Sequence, residues 1–283
     1  MIRPIKSTIR PIRPIRPIRP RQKTKDSSTA REKARQTALR KAFLMTSGRV
    51  HSYETLGALD GPGLRLVIFL QGCPLRCCYC HNPDTWETAA GQPTSVADIS
   101  QRIRRFMPYF GRRGGVTLSG GEPLLQAAFC LEILRECQRL GVHSAIDTGG
   151  GVWNDVCRQA ADLADIVILD IKAANAELWQ AVTGRDAFST LLQLITDFRA
   201  SQRAVWVRQV VAKGLNDSPE AMRDLAALVA GLNIERIELL PYHEMGRSKW
   251  DKLGLDYAAK QLQPPTPGLL ADLQKTLATR RGG

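Results

Sequence analysis

The stretch "LRLVIFLQGCPLRCCYC" (residues 64–80) begins as a run of apolar residues and ends as a loop that holds four cysteines. Its apolar half has the composition of a strand that is buried on both faces, as in a parallel sheet. The cysteines, at positions 73, 77, 78 and 80, follow the point where that strand should end. In parallel α/β folds the loops after the carboxyl ends of strands carry the functional groups, so this loop is the first candidate site.

Further apolar, β-branched runs follow, and segments of helical period separate them. The predicted strands are residues 64–70, 115–120, 143–148, 165–172, 204–211 and 236–242. Leu124, Leu131 and Leu134 are examples of the apolar residues at helical spacing between these runs. Six such units predict an α/β domain that is built on a parallel sheet with crossover helices.

Composition places the chain in a broad class. It has 283 residues with 43% apolar content, which is enough to bury a sizeable core. No apolar run approaches the roughly 20 residues that would span a bilayer. The amino terminus lacks the apolar segment and cleavage site of a secretory signal, so we expect a cytoplasmic protein. In that reducing compartment, seven cysteines suggest metal ligands and buried thiols more than disulfides.

The net charge of +13 lies almost wholly at the amino terminus. Residues 1–44 hold 14 Lys and Arg against 2 Asp and Glu, which leaves residues 45–283 at a net charge of +1. We therefore expect neither nucleic acid nor a membrane as a partner of the folded part. The Arg-Pro-Ile repeats of residues 10–20 predict a disordered extension. It could be a basic arm or a targeting segment. It could also be a flexible extension that is translated from upstream of a true start at Met45.

The spacing of the clustered cysteines narrows their chemistry. Thiolates suit zinc or iron-sulfur clusters. A zinc site usually has two separated ligand pairs. The side chains of adjacent Cys77 and Cys78 would point in different directions, which disfavours binding of one tetrahedral ion by both. Thiols without a metal are a further alternative. The favoured interpretation takes Cys73, Cys77 and Cys80 as ligands of a 4Fe-4S cluster with one iron open to a substrate or cofactor.

The chain resembles a known family at this point. The spacing from Cys73 to Cys80 and the "SGGEP" segment (119–123) are similar to motifs of radical S-adenosylmethionine enzymes. Five ordered blocks resemble the pyruvate formate-lyase activating enzymes over residues 48–253. These blocks are "GRVHSYETLGALDGPGLRLVIFLQGC" (48–73), "YCHNPDTW" (79–86), "VTLSGGEPLLQ" (116–126), "DIVILDIK" (165–172) and "IELLPYHEMGRSKW" (237–250).

This resemblance implies a fold, a reaction and partners. The fold would be a partial (β/α)6 barrel of TIM type with mainly parallel strands, in one domain over residues 45–283. The reduced 4Fe-4S cluster would cleave S-adenosylmethionine, and the resulting 5'-deoxyadenosyl radical would remove hydrogen from a glycine of pyruvate formate-lyase. Flavodoxin or ferredoxin would donate the electron, and the protein would act as a monomer.

The resemblance also assigns residues. The cluster ligands, which are also the catalytic residues, would be Cys73, Cys77 and Cys80. The cofactor contacts would be Tyr79, Cys80, His81, Gly120, Gly121, Asp170, Ile171, Lys172 and His243. A monovalent cation would bind at Asp147 and Thr148, and the partner's glycine loop at Asp60 and Arg65. Glu122 would brace the glycine turn or neutralise nearby positive charge.

Plain alternatives stand beside several of these assignments. Gly120 and Gly121 could serve only a tight turn. Asp170 and Lys172 are two apart on a strand and face the same side, so they suit a zwitterionic ligand but could also be a solvated ion pair. His243 could be an ordinary surface histidine.

Two further features bear on the partners. Arginines in "RIRRFMPYFGRR", at positions 102, 104, 105, 112 and 113, could dock an acidic flavodoxin or form a solvated helix face. Cys130, Cys137 and Cys157 do not form a second cluster motif, which favours the pyruvate formate-lyase branch of the family.

The alternative functions are an activase of another glycyl radical enzyme, such as anaerobic ribonucleotide reductase, and a non-catalytic iron-sulfur electron carrier.

Overall fold

Strands and helices alternate along residues 46–279, the range that the computed structural model describes. The strands in this range are β1 (Ser47–Gly57), β2 (Arg65–Leu70), β3 (Gln92–Ser95), β4 (Gly115–Gly120), β5 (His143–Thr148), β6 (Ile166–Asp170), β7 (Ala204–Val211) and β8 (Asn233–Pro241). The α-helices in this range are α1 (Val96–Phe106), α2 (Ala127–Leu140), α3 (Asp155–Leu163), α4 (Ala176–Thr183), α5 (Phe188–Ser201), α6 (Pro219–Leu228), α7 (Arg247–Lys252) and α8 (Pro267–Thr279). The expected extension over residues 1–44 lies outside the described range.

The strands form one open sheet in the order β3-β1-β2-β4-β5-β6-β7-β8. From β2 through β8 each neighbouring pair is parallel, so the predicted α/β sheet of six parallel strands is confirmed. Strands β1 and β3 were not predicted and extend the sheet in antiparallel fashion beyond β2. Their residues are mostly half-buried or exposed, which leaves no apolar run for sequence reasoning to detect.

The parallel strands are buried because helices cover them. In β2, Leu66, Val67, Ile68 and Leu70 have less than 1% of their surface exposed. Helix α2 packs its apolar residues toward the sheet and ends at Gly141, whose φ of 64° suits a residue without a Cβ. Together these layers form the hydrophobic core and hold the strand ends in register.

That register matters for the site. Strand β2 pairs with β4 from Arg65 opposite Gly115 to Leu70 opposite Gly120, so both strands end at the same edge. The cysteine loop, the glycine turn and the ends of β5 and β6 therefore meet at one edge of the sheet. No helix within residues 46–279 is both long enough and apolar enough to cross a membrane.

Arg65, at the start of β2, connects the loop before that strand to strand β4. Its side chain is fully buried and donates hydrogen bonds to the hydroxyl of Thr117 at 2.9 Å and to the carbonyl of Val116 at 2.5 Å. A longer bond reaches the carbonyl of Pro62 at 3.3 Å. Burial lowers the pKa of this guanidinium to about 10, so it stays charged at neutral pH. The cation thus ties the loop before β2 to strand β4.

Replacing this cation should weaken the fold. We expect Arg65→Met to lower the free energy of unfolding by about 3 kcal/mol, because several buried bonds to a charged donor are lost. Arg135→Met is the control, because Arg135 is about half exposed and forms an ion pair with Glu132, one helical turn away. Urea unfolding measures both. A stable Arg65→Met that instead loses affinity for the partner protein would contradict this structural role.

Candidate functional site

A cavity of about 280 Å³ lies at the edge where the parallel strands end, and we call it the central pocket. The residues singled out from the sequence that line it are Asp60, Cys73, Cys77, Tyr79, Cys80, His81, Gly120, Gly121, Glu122, Asp147, Asp170, Lys172 and His243. Ile171, Thr148 and Arg65 do not line it. Ile171 packs in the core and donates its N–H to the carbonyl of Arg208 at 2.8 Å.

The structure separates the four clustered cysteines into two groups. Cys73, Cys77 and Cys80 all line the central pocket, while Cys78 does not. Instead, Cys78 packs against a second hydrophobic cluster and donates its backbone N–H to the carbonyl of Val182 at 2.8 Å. All seven cysteines are free thiols. The grouping matches the ligand set that the sequence analysis favours.

Burial disfavours ionisation of the three thiols that line the pocket. It raises the pKa of Cys73 to about 12, with a further contribution from Glu122, and it raises the pKa of Cys77 and Cys80 as well. The ammonium of Lys172 acts in the opposite direction on all three. A bound cationic group would therefore have to compensate for the cost of forming three thiolates.

Within residues 46–279, no three or more His, Cys, Asp or Glu side chains form a group that could hold a metal ion. The assignment of the three thiols to a cluster of several irons thus depends on their shared pocket and on the chemistry of the donor set. Thiolates are the usual protein ligands of such clusters, each binding a different iron.

The glycine turn allows a close approach of two backbones. A Cβ on Gly121 would lie 2.3 Å from the carbonyl oxygen of Gly72, and one on Gly120 would lie 2.4 Å from the backbone nitrogen of Leu70. Gly120 also has a φ of 108°, which side chains rarely tolerate. These glycines are thus needed for packing against the start of the cysteine loop, whatever ligand they also contact.

Opposite charges meet on one wall of the pocket. The ammonium of Lys172 donates to Oδ2 of Asp170 at 2.5 Å, and both side chains are largely buried. Burial by itself would lower the pKa of Lys172, but Asp170 and nearby groups raise it well above its ordinary value, so the ammonium stays charged. This is a buried pair and not the solvated ion pair of the alternative.

Unpartnered polar atoms also face this region. Three buried side-chain atoms of pocket residues lack a hydrogen-bond partner in the described part of the chain: Oδ1 of Asp170, the hydroxyl of Tyr79 and Nε of Arg208. Such groups are costly to bury unless something binds them. They fit a polar, zwitterionic ligand better than an apolar one.

Two histidines form another wall. The rings of His81 and His243 stack with centroids 4.3 Å apart, and Nε2 of His81 lies 3.1 Å from the carbonyl oxygen of His243. Burial lowers the pKa of His81, which favours a neutral ring at neutral pH. His243 thus has a specific contact with the cysteine loop, unlike an ordinary surface histidine.

Glu122 joins three parts of the site, and this role was only partly predicted. Its carboxylate accepts hydrogen bonds from the N–H of Leu124 at 3.0 Å, from the N–H of Gly149 at 3.0 Å and from the hydroxyl of Thr148 at 2.8 Å. Its own N–H donates to the carbonyl of Gly72 at 2.8 Å. The side chain therefore braces the glycine turn, as one of its two predicted roles required. Thr148, whose hydroxyl is bonded to Glu122, does not line the pocket.

Acidic groups and one arginine form the remaining wall. Asp147 accepts a hydrogen bond from Ser119 at 3.1 Å and lies 3.8 Å from Arg208, which also reaches Glu238 at 3.3 Å. Burial raises the pKa of Asp147 to about 6 and also raises that of Asp60. From the sequence, Arg208 is predicted only as part of the strand at residues 204–211, because one arginine inside an apolar run gives no spacing signal.

The structure differs from the expectation that Asp60 and Arg65 together bind the partner's glycine loop. Asp60 lines the central pocket, but the Arg65 side chain has no exposed surface and is bonded to the hydroxyl of Thr117, which in turn donates to the carbonyl of Asp60 at 2.6 Å. The two residues are five positions apart across a turn, so sequence alone could not tell that they face different environments.

The buried carboxyl of Glu122 should make stability depend on pH. Burial raises its pKa from 4.5 to about 7, so the folded state binds a proton that the unfolded state releases. We expect the metal-free protein to lose stability as pH rises from about 4.5 to 7, and Glu122→Gln to flatten that decline. Urea midpoints across this range measure it. Glu54→Gln, at an exposed position, is the control, and equal slopes in wild type and Glu122→Gln would contradict the prediction.

Comparison with known proteins agrees with this site. A family described as a 4Fe-4S single cluster domain matches residues 59–181. The pyruvate formate-lyase-activating enzyme of Clostridium pasteurianum is 42% identical over 226 residues, which cover 77% of this chain and 92% of that protein. The pyruvate formate-lyase 1-activating enzyme of Escherichia coli K12 is 40% identical over 225 residues, which cover 77% of this chain and 90% of that protein.

Solved structures support the fold. SuiB of Streptococcus suis, bound to its precursor peptide SuiA, matches with a TM-score of 0.59 at 16% identity, over 90% of this chain and 52% of that one. A radical SAM methyltransferase of Sphaerobacter thermophilus matches with a TM-score of 0.52 at 15% identity, over 76% of this chain and 64% of that one. The partial barrel is thus confirmed. With relatives at this identity along nearly their whole length, the chain belongs to the pyruvate formate-lyase activating enzyme family.

Proposed function

We propose that this protein activates pyruvate formate-lyase by generating a glycyl radical on it. The observation that carries the proposal is the gathering of three thiols, a glycine turn and a buried zwitterionic pair around one pocket. These features occur in a chain that belongs to the activating enzyme family. A non-catalytic electron carrier would not need the charged pair or the unpartnered polar atoms beside its thiols.

Cys73, Cys77 and Cys80 would hold a 4Fe-4S cluster. Such a cluster would supply the electron for the reductive cleavage of S-adenosylmethionine, the chemistry on which radical formation depends. Asp170 and Lys172 would orient the charged groups of the cofactor through Coulombic attraction and hydrogen bonds. The backbone at Gly120 and Gly121 would add close polar contacts.

Aromatic residues would enclose the rest of the cofactor. Tyr79 and the stacked pair of His81 and His243 offer flat surfaces and hydrogen-bonding groups that suit its adenine or methionine part. Burying a reactive radical among such side chains would keep water away from it. The position of Tyr79, almost fully buried on the pocket wall, supports this role.

Asp60 and Arg208 would receive the glycine-bearing loop of the partner. Both line the central pocket, and Arg208 donates to the carbonyl of Leu59 at 2.6 Å, which couples it to the loop that carries Asp60. A carboxylate and a guanidinium at this wall can hydrogen-bond to the N–H and C=O groups of an extended peptide. Their arrangement would present the partner's glycine to the cofactor.

A monovalent cation fits less completely. Asp147 brings carboxylate oxygens to the pocket, but the hydroxyl of Thr148 donates to Glu122 and does not line it. The site thus offers one of the two expected oxygen ligands. A cation would bind through Asp147 together with oxygen atoms of the bound cofactor.

Flavodoxin or ferredoxin would provide the electron to a monomer in the cytoplasm, where the free thiols stay reduced. The arginine run of the sequence analysis is poorly placed to dock such a donor. Arg112 and Arg113 precede the start of β4, whereas the thiols follow the end of the parallel β2, and a strand of this length spans roughly 17–20 Å. Arg102 stacks on Tyr53, and Arg104 lies 3.7 Å from Glu136.

Other cations lie closer to the thiols. Arg76 donates to the carbonyl of Cys73 at 2.6 Å, and Arg185 donates to the carbonyl of Pro74 at 3.1 Å. A donor that docks near these residues would have a shorter path for its electron.

An anaerobic assay tests the proposed function. Protein reconstituted with iron and sulfide, reduced and mixed with S-adenosylmethionine should form 5'-deoxyadenosine and raise a glycyl radical signal in pyruvate formate-lyase. Chromatography detects the nucleoside, and electron paramagnetic resonance detects the radical. Protein without added iron is the control. A radical that forms only on another glycyl radical enzyme would overturn the choice of partner.

Single substitutions test the ligand set. Ser in place of Cys73, Cys77 or Cys80 should abolish the cluster absorbance and the radical, because a hydroxyl is a poor ligand for iron in such a cluster. Cys78→Ser is the matched control, since this adjacent thiol lies outside the pocket, and it should retain full iron content. Loss of the cluster in Cys78→Ser would show that the ligand assignment is wrong.

A further inference from the structure

The cysteine loop is held by two separate anchors. Its first half is bonded to the end of α4. The backbone N–H of Arg76 donates to the carbonyl of Thr183 at 2.7 Å, and the backbone N–H of Cys78 donates to the carbonyl of Val182 at 2.8 Å. The second half, from Cys80 onward, has no such bonds to α4. A different segment, residues 243–250 ("HEMGRSKW"), packs against it, and we call this segment the clasp.

Trp250 makes the most specific contact of the clasp. Its indole N–H donates a hydrogen bond to the backbone carbonyl of Cys80 at 2.8 Å. The ring is 5% exposed and packs edge-to-face on Trp86 and Tyr257, with centroids 5.1 and 5.3 Å apart. Tight packing around the indole therefore aims its one donor at one acceptor, the carbonyl of a predicted cluster ligand.

Neighbouring residues place the clasp closely against the loop. Gly246 leaves no room for a side chain, since a Cβ there would lie 2.7 Å from Cα of His81. Lys249 donates to Oδ1 of Asn82 at 2.8 Å. The backbone N–H of Asn82 in turn donates to Sγ of Cys80 at 3.4 Å. The clasp thus controls the carbonyl on one side of Cys80 and a donor to its sulfur on the other.

We propose that Trp250 is a positioning residue that fixes the backbone of Cys80 and so directs its thiol toward the cluster. A hydrogen bond to the carbonyl fixes the peptide plane between Cys80 and His81. That plane restricts the backbone of Cys80, from which the thiol extends, and places the His81 ring against His243. Partners that orient metal ligands from outside the coordination sphere affect metal affinity strongly. This role rests on the proposed function, because it needs a cluster at Cys80.

Trp250→Phe tests the role, because it keeps an aromatic ring and removes the N–H donor. In reconstituted protein, we expect a ferrous-iron chelator to remove cluster iron about tenfold faster than from wild type. The reduction potential of the cluster, followed by electron paramagnetic resonance, should become more negative as the hydrogen bond from the N–H of Asn82 to Sγ of Cys80 weakens. A purely structural role would not move the potential.

Trp153→Phe is the matched control. Trp153 is also buried, packs edge-to-face on Phe198 at 5.4 Å, and donates its indole N–H to Asp197 at 2.6 Å, away from the pocket. It should release iron at the wild-type rate and keep the wild-type potential. Equal acceleration in both variants would overturn the proposal, since the cause would then be general loosening of the fold.

A second probe guards against a variant that does not fold. Benzothienylalanine at position 250 replaces only the indole N–H with sulfur and retains the shape of the side chain. It should accelerate iron loss as Trp250→Phe does. Wild-type iron retention and potential with this analogue would overturn the role of Trp250, whereas a wild-type protein that binds no cluster would overturn the proposed function itself.

Discussion

The site depends on the close approach of two backbones where β2 and β4 end. The carbonyl of Gly72 accepts the N–H of Glu122 at 2.8 Å, and the N–H of Gly121 donates to the carbonyl of Leu70 at 2.9 Å. No residue with a Cβ could occupy the turn at this separation. This contact places the cysteine loop beside the glycine turn, and every other group of the central pocket is arranged around that pair.

Burial then gives the groups in the pocket their chemical character. It raises the pKa values of the three thiols that line the pocket and of two carboxyl groups, Glu122 and Asp147, while Asp170 keeps Lys172 charged. The region therefore holds a fixed ammonium beside groups that resist ionisation. Such a site favours a ligand that brings its own compensating charges, as an iron-sulfur cluster and a zwitterionic cofactor would.

Positions in the loop that are close in sequence are held by elements far apart in sequence. Helix α4 holds the backbone near Cys78, and the clasp near the carboxyl terminus of the domain holds Cys80. The same clasp contributes His243, whose ring stacks on His81. The clasp thus contacts both Cys80, the proposed cluster ligand, and His81, a proposed cofactor contact, so we expect a change in the clasp to affect the proposed cluster.

Sequence patterns were sufficient for the parallel strands and for the pocket-lining residues of the cysteine loop and glycine turn, because apolar runs and cysteine spacing are local signals. They could not detect β1 and β3, whose half-exposed residues carry no clear period. Nor could they show that Asp60 lines the pocket while the side chain of Arg65 is buried, or place the arginine run relative to the thiols. The sequence by itself determined the fold class, the cysteine spacing and the family resemblance. Only the tertiary structure decided that Cys78 packs against a second hydrophobic cluster and that Trp250 meets Cys80, because such contacts depend on how distant strands and loops pack.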